Sequence, residues 1–145
     1  MNSRLFAALA VGGLLACHGE PTGLSSRGGI RLSLALSAPQ LQRGELDTIA
    51  VTITNTNRYS VSLSVGGCPL LFYVTDARGA TVVPSGGGWV CVLIVRQMTL
   101  APGADQTQTF VWDTHPFDTG PYAVYGTFAA EGIQLATPRA AVQLK

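Results

Sequence analysis

The sequence predicts an all-β chain, folded as an immunoglobulin-like antiparallel β-sandwich of about 8–10 short strands. Three observations carry that prediction. Apolar residues alternate with Ser and Thr at period two in one segment after another. Turn residues interrupt those segments at short intervals. Asp118-Thr119-Gly120-Pro121-Tyr122 has the Asp-x-Gly-x-Tyr spacing of a tyrosine corner, in which the phenol bonds backbone a few residues upstream. If that stretch is only a turn, the architecture still stands, because it rests on the periodicity.

The chain opens with Arg4 and an apolar run from Leu5 to Ala16, the layout of a secretory signal peptide. The run is short of the roughly 20 residues that span a bilayer. It ends Leu14-Leu15-Ala16-Cys17, which resembles the bacterial lipobox. That resemblance implies a diacylated Cys17 that becomes the first residue after cleavage. An ordinary signal peptide with an incidental Cys is the alternative. Residues 1–16 are thus read as a lipoprotein signal peptide. Residues 17–29 are read as the lipidated Cys and a flexible Gly/Ser-rich tether. His18 after the Cys leans towards an outer membrane, if the cell has one. The expected location is the cell envelope, anchored to the membrane by lipid and facing the periplasm or the outside.

Residues 30–145 form the predicted sandwich. Ile30, Leu32, Leu34 and Leu36 alternate with Arg31, Ser33, Ala35 and Ser37. Ile49, Val51 and Ile53 alternate with Thr and Ala, and Tyr59–Val65 alternates with Ser. Such segments make half-buried strands. Asn55–Arg58 is a turn, and Gly66-Gly67 closes the third strand. Leu70–Asp76 is a strand, turned by Asp76-Ala-Arg-Gly79 into Ala80–Val83. Pro84–Gly88 is a loop, and Trp89–Val95 is read as a strand that continues after a bend at Met98–Leu100. Pro102 favours a turn at 101–104. Thr107–Asp113, Tyr122–Ala130 and Ile133–Lys145, the last broken at Pro138, complete the count. Phe110 and Trp112 fall on one face as core anchors.

Cys68 and Cys91 remain after lipidation. Two cysteines left over in an exported chain usually pair, and a staple would hold the glycine-rich 86–88 stretch. A metal site lacks ligands, since the two histidines are His18 and His115. A redox pair lacks the Cys-x-x-Cys spacing.

The charge count is low. Charged residues are 12% of the chain, about half the roughly 25% of ordinary domains, and the formal net charge is +1. Hydrophobic residues make up 47%. This excludes a disordered chain and a nucleic-acid binder with a phosphate-neutralising surface. The carboxylates are scattered singly, and no P-loop, dinucleotide fingerprint, calcium loop or Gly-x-Ser-x-Gly elbow occurs. His115 between Asp113 and Asp118 is a metal ligand, a base, or a solvated turn histidine. No catalytic residue, metal ligand or cofactor is assigned, and the chain is read as a non-enzyme. Trp89, beside three glycines and a cysteine, is a candidate partner-binding anchor or a lid on the core.

The stretch from about Leu36 to Phe128 resembles the intracellular proteinase inhibitor (BsuPI-type) domain. The matching elements begin with Ile53-Thr54-Asn55-Thr56 and the alternating strand Val61–Val65. Phe72, Val74, Asp76 and Gly79 follow, with Val82. Then come Leu100-Ala-Pro-Gly103, Trp112-Asp113, and Gly120 with Tyr122 and Val124. The resemblance implies an immunoglobulin-like sandwich and inhibition of a cytoplasmic subtilisin-type protease. The export signal and the cysteine pair depart from an intracellular inhibitor. The expected function is therefore a lipid-anchored, non-catalytic envelope binding module, with proteinase inhibition as its sharpest form. Its partner would be a protease or another envelope component. An accessory envelope lipoprotein is the runner-up, and a metal-handling protein or hydrolase is a third reading.

Overall fold

The computed structural model describes residues 23–145. The expected signal peptide, the expected lipidation site Cys17 and the start of the expected tether lie outside the described residues. The strands are β1 (Gly23–Arg27), β2 (Ile30–Leu36), β3 (Gln40–Leu41), β4 (Leu46–Asn55), β5 (Val61–Thr75), β6 (Thr81–Val83), β7 (Arg96–Leu100), β8 (Asp105–Asp113), β9 (Gly120–Ala130), β10 (Ile133–Ala136) and β11 (Ala140–Leu144). No helix occurs among the described residues. One sheet has the order β1-β2-β4-β8. The other has the order β3-β11-β9-β5-β6, with β10 also on β9 and β7 also on β5.

The period-two pattern does what it predicts. Ile30, Leu32 and Leu34 of β2 and Ile49, Val51 and Ile53 of β4 are fully buried between the sheets. From the second sheet, Phe72, Val74, Val124 and Phe128 meet them. The layers approach closely at Gly126, where an added Cβ would lie 2.9 Å from Val51 Cγ1.

Three expectations are corrected. First, residues 23–29, expected as part of a flexible tether, are a strand and its turn. Gly23–Arg27 pairs antiparallel with β2 across Gly28 and Gly29, whose φ values are +60° and +74°. Two consecutive positive-φ glycines make the two-residue turn whose twist suits a hairpin, so here they order the chain. Second, Tyr59–Val65 and Leu70–Asp76 are not separate strands. Both halves belong to β5, interrupted by a bulge between Val65, opposite Ala130, and Leu70, opposite Phe128. The bulge lets Leu63 and Val65 before it, and Leu70, Phe72 and Val74 after it, all face the core. Third, Trp89–Val95 is not a strand; β7 begins only at Arg96. β7 pairs with β5 up to Val65, and the bulge removes the ladder that residues before Arg96 would need.

Turn chemistry fixes the ends. Asp76 Oδ1 accepts from the backbone N–H groups of Arg78 and Ala80, both at 2.9 Å. The tyrosine corner is present: the Tyr122 hydroxyl donates to Asp118 O at 2.9 Å. Burial, assisted by the Asp118 and Asp76 charges, raises the Tyr122 phenol above its ordinary pKa and keeps it a donor.

The inward face of β4 ends in Asn55, which is fully buried. Its Nδ2 donates to Tyr59 O and Leu100 O, each at 2.9 Å, and to Ala101 O at 3.1 Å. Its Oδ1 accepts from Asn57 N at 3.0 Å. Asn55 thereby ties the 55–59 turn to the 100–104 turn. Asn55→Ala will leave these carbonyls without their donor and lower stability by about 2–3 kcal/mol. Urea unfolding checks this, and a loss below about 0.5 kcal/mol would contradict it.

Candidate interaction surface

The surface begins at the β5 bulge, Gly66–Pro69. Cys68 and Cys91 are disulfide-bonded, with Cα atoms 5.7 Å apart. The staple draws the chain after Cys91 onto the bulge. A Cβ on Gly67 would sit 2.3 Å from Val92 O, so only a glycine lets the two backbones meet here. Ile94 N donates back to Val92 O at 3.0 Å, a tight turn with Leu93 at its tip.

The backbone of this loop faces the protein, and its side chains face solvent. Val90 is 100% exposed, Leu93 103% and Val95 79%; Val92 and Ile94 are also exposed. Single exposed aliphatics need no explanation, but five within six residues form a contiguous patch. Sequence reasoning missed it because Val90–Val95 looks like core strand. The available signal was the unbroken apolar run 90–95 after Gly86-Gly87-Gly88-Trp89, which does not alternate as the strands do.

Trp89 lies at the root of the loop, half-buried. Its indole N–H donates to Phe72 O at 2.9 Å, and its ring packs 5.2 Å from Phe72 and 5.9 Å from Phe110. Its polar atom is therefore used inside the protein. Its ring contributes to the walls of two surface depressions. One is a small hollow of about 250 Å³ between Cys68, Arg96, Gln106 and Gln108. The other is a larger apolar groove of about 440 Å³ lined by Val83, Pro84, Val111, Trp112 and Phe117.

β8 runs between these depressions. It is an edge strand, with β4 on one side and no strand on the other among the described residues. Natural edges are commonly guarded by Lys, Pro or a bulge. Asp105-Gln-Thr-Gln-Thr-Phe-Val-Trp-Asp113 has neither Lys nor Pro and pairs with β4 without a register shift.

The acids serve turns and nearby backbone, Asp113 at the rim of the groove and Asp47 and Glu45 away from it. Asp113 Oδ1 accepts from His115 N at 2.9 Å, which makes this acid a turn former. Asp47 is buried, and its Oδ1 accepts from Ser37 N at 3.0 Å and from the Ser37 hydroxyl. Glu45 Oε2 accepts from Gln42 N at 2.6 Å. Among the described residues, no group of three or more His, Cys, Asp or Glu side chains could hold a metal ion.

No family model and no curated protein matches the chain. Solved structures do. The C-terminal domain of wzt is 9% identical, with a TM-score of 0.52 over 88% of this chain and 80% of that one. A CARDB domain from Pyrococcus furiosus, in complex with di-metal ions, is 15% identical, with a TM-score of 0.48 over 77% and 84%. A β-glucosidase from Listeria innocua is 18% identical, with a TM-score of 0.48 over 79% of this chain but 16% of the enzyme. The chain thus spans a small part of that enzyme's length. These likenesses concern fold, and the fold of this chain is an immunoglobulin-like antiparallel β-sandwich.

Proposed function

We propose that the chain is a lipid-anchored, non-catalytic binding module of the cell envelope, with proteinase inhibition as the sharpest form of that role. The stapled aliphatic loop carries the reading. A loop held by a disulfide and seated on Gly67 has little conformational freedom left to lose on binding. Its apolar side chains are already turned outwards. The resemblance to the BsuPI-type domain supports a protease as the partner. The disulfide suits an oxidising compartment.

The anchor reading fits this geometry. Gly23 lies six positions after Cys17, a reach of at most about 20 Å. β1, where the described chain begins, is the opposite edge of its sheet from β8, three strand spacings or roughly 14 Å away. A lipid on Cys17 would keep the β1 edge within that reach of the bilayer.

Metabolic labelling with a palmitate analogue tests the anchor. Label should be incorporated into the full chain, and Cys17→Ser should lose both the label and the membrane fraction. An unlabelled wild type would refute the anchor. A panel of subtilisin-like proteases and crosslinking in whole envelopes test the binding role. No inhibition and no defined partner at micromolar protein would refute it. The unguarded β8 edge favours one second reading, an accessory lipoprotein built into an envelope assembly. Co-purification with a complex, without any effect on a protease, would mark that case.

A further inference from the structure

We infer that the β8 edge is a twofold interface, on which two copies of this chain pair antiparallel through β8 and seat each loop in the other's groove. The inference does not rest on lipid anchoring or on protease binding, and a protease that takes the same loop would compete with the second copy. It rests on how three features are ordered along one strand.

The aliphatic loop lies at the Gln106–Gln108 end of β8. Gly67 and Cys68 link the two, since they touch both the loop and the hollow that Gln106 and Gln108 line. The apolar groove lies at the other end, against Val111 and Asp113. Between them Phe110 packs on Trp89. A protrusion and a groove thus stand at opposite ends of a single unpaired strand. An antiparallel strand pair has a twofold axis perpendicular to its strands, and a closed dimer uses the same patch on both chains. An axis near Thr109 exchanges the ends of β8. It brings Leu93 of each copy to the Val111 end of the other, and it does so twice.

Charge follows the same exchange. Arg96 stands at the loop end and Asp113 at the groove end, both exposed. The rotation brings each Arg96 towards the second copy's Asp113. Neither copy repels the other, because the formal net charge is only +1. The pairing also supplies backbone partners for the outer edge of β8, which no strand covers among the described residues.

The test measures the mass of the full chain, purified in detergent, by size exclusion with light scattering over a concentration series. Wild type should have the protein mass of two chains. Leu93→Asp and Val111→Lys should each weaken the dimer by about tenfold or more. Both positions are exposed, so the thermal melt of the monomer should not move. Arg96→Asp and Asp113→Arg should each weaken it, and the double variant should restore it. A monomer up to about 100 µM would overturn the inference. So would a dimer indifferent to both Leu93→Asp and Val111→Lys. So would a monomer whose Leu93 drives sedimentation with phosphatidylglycerol vesicles. A monomer that still inhibits a protease would remove the dimer and leave the binding role intact.

Discussion

Replacing Trp112 with alanine should lower the unfolding free energy by about 3–5 kcal/mol, the range for removing a large aromatic side chain from a core. Trp112 is 2% exposed and sits on the inward face of β8. Its ring lies 5.8 Å from Phe117 and 5.9 Å from Tyr122, and those two rings are 6.0 Å apart. The triad joins the edge strand of one sheet to the tyrosine corner of the other. Alanine would leave a cavity between sheets that are hydrogen-bonded elsewhere and cannot collapse freely. The buried indole Nε1 has no protein hydrogen-bond partner, so the loss is one of packing. Trp112→Phe should therefore cost clearly less than Trp112→Ala. Urea unfolding of both variants decides the matter. An alanine loss under about 1 kcal/mol would show that the triad does not hold the layers together. Domains of this size have about 5–15 kcal/mol in total, so the alanine variant should be close to unfolding at 37 °C.

The Cys68→Ala/Cys91→Ala double variant should lose about 3 kcal/mol. The cysteines are 23 positions apart, and breaking the link restores that loop's freedom to the unfolded chain. The double variant leaves no stray thiol at this site to form wrong pairs. Reductant acting on wild type should lower the urea midpoint to the same value, and the variant should not respond to reductant. The loop should lose its function before the domain loses its fold. Val92 is held on Gly67 by the staple, whereas the core of the two sheets lies elsewhere. Partner binding or dimerisation should therefore fall in the variant at temperatures where it remains folded. Equal stability of wild type and variant would mean that the bond constrains nothing in the unfolded state.

Most of the sandwich could be read from sequence because its strands are half-buried. β2 and β4 carry their core on one parity, and their burial follows it without a break. The tyrosine corner and the Asp76 turn were legible because each depends on a local bond from a named side chain. The misreadings have one physical source. Local pattern does not reveal where a strand finds its partner. Gly23–Arg27 is ordered by β2 and not by its own composition. Val90–Val95 has strand chemistry but no ladder beside it, because the β5 bulge takes the ladder away. The surface was legible only at its root, in Cys68, Cys91 and Trp89. Its display of aliphatic side chains depends on Gly67 meeting Val92, a contact between residues far apart in sequence.

That contact separates two kinds of constraint. The loop is held by backbone at Gly67 and by one covalent bond, so the side chains at Val90, Leu93 and Val95 are not needed to keep it in place. They can be exchanged with little effect on folding. Val90, Leu93 and Val95 therefore behave as a replaceable cassette on a constant frame. Randomising them should yield folded proteins at high frequency, with recognition changing from clone to clone.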